Sequence, residues 1–69
     1  MELRSGDNVV LRYNKPNEDL GLHPGMIGTS TGESLTDFLS NGDKVVWKNI
    51  QWPHHKWWVP EDQIKRIKS

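Results

Sequence analysis

The amino-acid sequence predicts an all-β fold. Five short strands form one small barrel domain over residues 1–69, with a long first loop, a short helical turn near 34–40 and a 3-10 turn before the last strand. Three observations predict it. Residues GDNVVLRY (6–13) alternate, with Val9, Leu11 and Tyr13 on one side and Asn8, Val10 and Arg12 on the other, the period-two signature of a half-buried strand. The runs KVVWK (44–48) and KWWVP (56–60) concentrate β-branched and aromatic residues between turn-forming neighbours. The segment NKPNEDLGLHPG (14–25) holds two prolines and two glycines, which excludes a helix or a central strand and leaves a long loop.

The elements follow in chain order. The first strand enters from the Gly6-Asp7 turn. After the long loop, GMIGTST (25–31) reads as a short strand in which Gly25 and Gly28 flank Met26 and Ile27, pointing to a bulge or a close backbone approach. In TGESLTDFLSNGD (31–43), Ser34 is placed to cap a helical turn, and Leu35, Phe38 and Leu39 fall at i, i+3 and i+4. Asn41-Gly42 then supplies a stop, and Phe38 becomes a lid on the barrel end. Residues 44–48 form the third strand, NIQWPHH (49–55) an excursion and 56–60 the fourth strand, which Pro60 ends. PEDQ (60–63) suits a single 3-10 turn with proline first, and IKRIK (64–68) closes the sheet.

A chain of 69 residues without cysteine has neither disulfides nor a cysteine-based zinc site to stabilise it, so its core must be efficient. Only 33% of residues are hydrophobic, and all four tryptophans fall between Trp47 and Trp58. One buried tryptophan removes roughly 200 Å² from water, a gross gain of about 5 kcal/mol, so at least two of the four are expected in the core. No apolar run reaches membrane-spanning length, and the N-terminus lacks a signal-peptide pattern, so a cytoplasmic protein without membrane insertion is expected. Net charge is zero but uneven: residues 1–43 carry three cations and seven carboxylates, net −4, while residues 44–69 carry six and two, net +4.

The pattern GDNVVLRY, long loop, GMIGT, VVWKN, WVPEDQIKRI resembles the SH3-like barrels over nearly the whole chain. WVPEDQIKRI is similar to the last segment of Src-type SH3 domains, but Gln63 stands where those domains place a tyrosine, and only Tyr13 lies near the first strand. The resemblance therefore does not extend to their grip on proline-rich peptides. Gly6-Val9-Leu11, Gly25-Gly28, Val45-Trp47 and Glu61-Asp62-Ile64 match, in order, small SH3-like electron-transfer accessory proteins. That group includes the ferredoxin-docking subunit of photosystem I and the variable chain of ferredoxin–thioredoxin reductase. The resemblance implies a non-catalytic subunit that binds a larger redox or enzyme complex.

Candidate chemistry is sparse. His54 and His55 are adjacent on an extended segment and point to opposite sides, and His23 lies in another loop, so no metal site is expected. Glu18-Asp19 and Glu61-Asp62 are sequence neighbours that a sheet aims apart, and there is no cysteine nucleophile. Gly25-x-x-Gly28 is too short for a phosphate loop. No catalytic residue and no cofactor are assigned, and the chain is expected not to be an enzyme. Two ligand classes stand side by side: a protein partner, and a nucleic acid stacked on Trp47-Lys48 and Lys56-Trp57-Trp58. The isoelectric point near 6.8 weighs against the second. The oligomeric expectation is a monomer or a weak homodimer.

Strand parity sorts the tryptophans. Val59, just before Pro60, should face the core, which takes Trp57 inward and turns Trp58 out. On the preceding strand Val45 and Trp47 are set inward, against Val46 and Lys48. Trp52 precedes Pro53 in a loop and has no assigned sheet partner. The expected core is Trp47 and Trp57. The expected partner surface is Trp52, Trp58, His54, His55, Lys48 and Lys56.

Overall fold

Alternation and turn chemistry build a single antiparallel sheet. The computed structural model describes residues 2–12 and 21–67. Strands β1 (Asn8–Leu11), β2 (Ile27–Phe38), β3 (Lys44–Gln51), β4 (Lys56–Pro60) and β5 (Ile64–Arg66) follow in sequence, and a 3-10 turn, Glu61–Gln63, joins the last two. The strand order is β4-β3-β2-β1-β5, with every neighbouring pair antiparallel. The all-β class, the five strands and the 3-10 turn are as the sequence predicts. The sheet, however, is open: β4 and β5 are its two edges, so the expected closed barrel is corrected to an open sheet. Most of the expected long loop, together with Tyr13 and the carboxylates Glu18 and Asp19, lies outside the described residues.

Registration places the core on one face. Val9 is opposite Gly28, Leu11 opposite Ile64, Ser30 opposite Ile50 and Lys48 opposite Val59. Val9, Leu11, Leu22, Ile50, Trp52, Val59 and Ile64 are all essentially inaccessible, and Leu3 joins them. Directly paired residues share a face, so this is one continuous apolar surface across the strands.

The expected helical turn near 34–40 is absent. Ser34 to Phe38 continue β2 and pair with Lys48 to Lys44. The Asn41-Gly42 dipeptide that suggested a helix stop instead makes a hairpin. Leu39 N donates to Asp43 O at 2.8 Å, Gly42 N donates to Leu39 O at 2.9 Å, and Gly42 adopts φ +91°. Asn41 Oδ1 accepts from Asp43 N at 2.9 Å. Phe38 is 66% exposed, so it covers nothing. Non-local pairing with the valine-rich β3 outweighs a short helical spacing that on its own offers one unpacked turn.

A bulge separates the two halves of β2. Between the pairs Ser30–Ile50 and Ser34–Lys48, Thr31, Gly32 and Glu33 stand opposite Asn49 alone. Gly32 has φ +87°, and its N–H donates to Ser30 Oγ at 3.1 Å. Thr31 Oγ1 donates to Asn49 O at 3.2 Å. Extra residues bend a strand. Beyond the bulge every residue of β2 is exposed, and from Thr36–Val46 to Phe38–Lys44, past the last β3–β4 pair at Trp47–Pro60, β2 and β3 continue as a two-stranded ribbon.

Candidate partner-binding surface

The third strand does not end at Lys48 but runs to Gln51, which changes the fate of every tryptophan. Lys48, Ile50 and Trp52 continue one alternation toward the core. Trp52 N donates to His55 O at 2.8 Å, closing a turn that has Pro53 at its second position. Trp52 is 1% exposed. It is therefore corrected from surface anchor to core residue. The missed signal was the i, i+2 continuation from Ile50 to Trp52.

Trp57 is corrected in the opposite sense. It does share Val59's side of β4, and it lies opposite Ile50, yet it is 41% exposed. Parity gives a direction, not a cover. On an edge strand, β3 flanks Trp57 on one side only. His55 meets its ring edge-on, with centroids 6.2 Å apart and planes at 79°. Trp47 is half-buried rather than core, because the inward face of β3 is that of Lys48 and Ile50.

Lys48 is also withdrawn from the surface. It is 8% exposed, opposite Val59, and its Nζ donates to Ser34 Oγ at 3.3 Å. Its stem packs as an apolar side chain would. Lys48→Met, which keeps that stem and drops the charge, is expected to change stability by about 1 kcal/mol or less. Lys48→Ala should cost about 1–2 kcal/mol. Urea denaturation of the two variants checks this, and equal losses would show that the ammonium, not the stem, matters.

Four of the six expected residues remain at the surface, all on or beside β4. His54 and Lys56 are exposed, while His55 and Trp58 are half-buried. The structure splits them between two faces. His55 and Trp57 take the core side of the edge, whereas Lys56 and Trp58 lie on the outer face opposite Gln51 and Asn49. That outer face also carries a row the sequence reading missed, Leu35–Trp47–Pro60, paired directly across β2, β3 and β4. No local signal marks it, because its members sit on three different strands and the i, i+3, i+4 spacing of Leu35, Phe38 and Leu39 points to a helical turn. Beneath it, Asn49 is buried and donates to Glu33 Oε1 at 3.3 Å.

Among the described residues, no three His, Asp or Glu side chains converge to hold a metal ion. The surface is a strand edge carrying two tryptophans, two histidines and one lysine. No protein family, curated protein or solved structure matches the chain.

Proposed function

We propose that this chain is a small non-catalytic protein-binding module, a cytoplasmic accessory subunit that docks on a larger protein through the edge strand β4. The observation that carries the proposal is Trp57, a tryptophan 41% exposed on a strand edge in a chain with few large apolar residues. Tryptophan is among the residue types enriched at the energetic hot spots of protein interfaces. His54, His55, Lys56 and Trp58 surround it on the two sides of the same edge. The net +4 of the C-terminal part favours an acidic partner face.

The same proposal takes the chain as an SH3-like accessory subunit of the electron-transfer kind, bound to a larger redox or enzyme complex. Several residues that carried that resemblance have structural work here. Val9, Leu11 and Ile64 are core, Gly28 lies against Ile50 and Trp52, and Gly25 adopts φ +93° where its N–H donates to Leu11 O at 2.7 Å. No helix among the described residues is long and apolar enough to cross a membrane.

The test is affinity capture with tagged wild-type protein and with Trp57→Ala. A larger protein recovered in stoichiometric amount by the wild type should be lost by roughly tenfold or more with the variant. The variant itself should remain folded and lose about 1–2 kcal/mol, well short of a core tryptophan, because 41% of Trp57 is already exposed. Undiminished capture by Trp57→Ala would remove the anchor and the proposal with it. A nucleic acid as the captured ligand, released steeply by salt, would replace the reading with the nucleic-acid one.

A further inference from the structure

The ribbon half of β2 leaves a strand edge uncovered. The turn at Arg4–Asp7 covers β2 only as far as Gly32: Gly6 N donates to Ser30 O at 2.8 Å, Ser30 N donates to Asp7 O at 2.7 Å, and Ser5 lies against Gly32. Strand β1 pairs with Ile27 to Thr29 and no further. From Ser34 to Phe38, β2 has β3 on one side and no strand of the described residues on the other.

The hydrogen-bond phase of that edge follows from the hairpin. The Leu39–Asp43 bond sets the alternation, so Leu35–Trp47 and Asp37–Val45 exchange bonds with β3. The N–H and C=O groups of Ser34 and Thr36 therefore point away from the sheet. Asp37 Oδ1 already accepts from Phe38 N at 2.8 Å, which ends the free stretch. Unpaired backbone of this kind is a template for another strand. Along it, Glu33, Leu35 and Asp37 alternate onto one face, and Leu35, Phe38 and Leu39 are all more than half exposed.

We propose that this edge binds an extended basic segment of another protein by strand addition, the segment having the pattern cation-x-apolar-x-cation. An antiparallel strand bonded to Ser34 and Thr36 places its alternate side chains beside Asp37, Leu35 and Glu33. Two cations flanking an apolar residue complement that row. A second copy of this chain does not in the register that bonds both Ser34 and Thr36. That twofold pairing, centred on Leu35, sets Glu33 against Asp37 of the other copy, twice, and like charges directly opposite repel. A shift to a centre at Thr36 avoids the repulsion but meets Phe38, whose N–H is already bonded to Asp37 Oδ1. The two carboxylates thus disfavour self-pairing of the edge and select the sign of its partner. This site stands apart from the β4 edge and does not rest on it.

The experiment is an NMR titration of the full chain with two capped peptides, TKTVTKT and TETVTET. The basic peptide is expected to bind roughly tenfold more tightly than the acidic one, because two attractive cross-strand pairs replace two repulsive ones. Its binding should weaken with salt, shift the amides of Ser34 and Thr36 and slow their exchange. Asp37→Asn keeps the acceptor for Phe38 N–H but removes a charge, and should narrow the preference several-fold. Trp57→Ala should leave this binding unchanged. Equal affinity for the two peptides overturns the proposal, as does binding that leaves the Ser34 and Thr36 amides unmoved. Protection of those amides by concentration-dependent self-association would assign the edge to a second copy and overturn it too.

Discussion

Trp52→Ala is expected to lower the stability of the protein by about 3–5 kcal/mol, enough to unfold it where the reserve is at the low end of its range. The ring is 1% exposed and packs with Ile50 over the backbone of Gly28. Removing a buried tryptophan costs about 3–5 kcal/mol. A domain of this length has a total stability of roughly 3–10 kcal/mol, so the loss takes from about a third to all of it. The indole Nε1 has no hydrogen-bond partner among the described residues. A buried unsatisfied donor costs about 1–3 kcal/mol, and Trp52→Phe removes that donor while keeping most of the ring contact. The phenylalanine variant should therefore lose far less than the alanine one. Urea denaturation followed by far-UV circular dichroism measures both. An alanine variant within about 1 kcal/mol of wild type would place the ring outside the core.

Gly28→Val is the second large effect. A Cβ at this position would stand 2.5 Å from Ile50 Cγ2 and 2.7 Å from Trp52 Cε3. Both neighbours are core side chains without room to retreat, and Gly28 does not have a positive φ. The glycine is required by what lies above it, not by its own backbone. Gly28→Ala should cost about 2–3 kcal/mol by overpacking, and Gly28→Val about 3 kcal/mol or more. Ile50→Leu removes the offending Cγ2 branch, so the Gly28→Ala/Ile50→Leu pair should be less destabilised than the sum of the single variants. Additive losses would show that Trp52 alone makes the clash. A valine variant as stable as wild type would mean that β2 does not pass beneath Trp52 at all.

These two positions show how unevenly the sequence spoke. Gly28 was legible as a site of close approach, because a glycine inside a strand-like run has few other reasons to be there. Trp52 was not, since Pro53 suggests a loop and the expected third strand stops three residues short of Gln51. The proline instead opens the turn that follows the strand, and Trp52 closes that turn with His55. On the candidate surface, His54, Lys56 and Trp58 were placed at or near solvent by parity and by the turn. Trp57 was missed because parity assigns a side of the ribbon without saying whether a second layer lies there. The Leu35–Trp47–Pro60 row was missed because each of its members sits on a different strand.

The sequence by itself determined the strand class, the shared side of Val9 and Leu11, the inward position of Val59, and the 3-10 turn between Pro60 and Ile64. Each follows from a local cause: period-two alternation, a proline that cannot donate, or a turn residue at its preferred position. Tertiary structure alone decided the length of β2, the open sheet and the exchange of roles between Trp52 and Trp57. Those depend on pairings between residues far apart in the chain, such as Thr36 with Val46 across the hairpin and Gly28 beneath Trp52. A side chain is buried only when another part of the chain covers it, and that cover is a property of the assembled sheet rather than of the residue's neighbours in sequence.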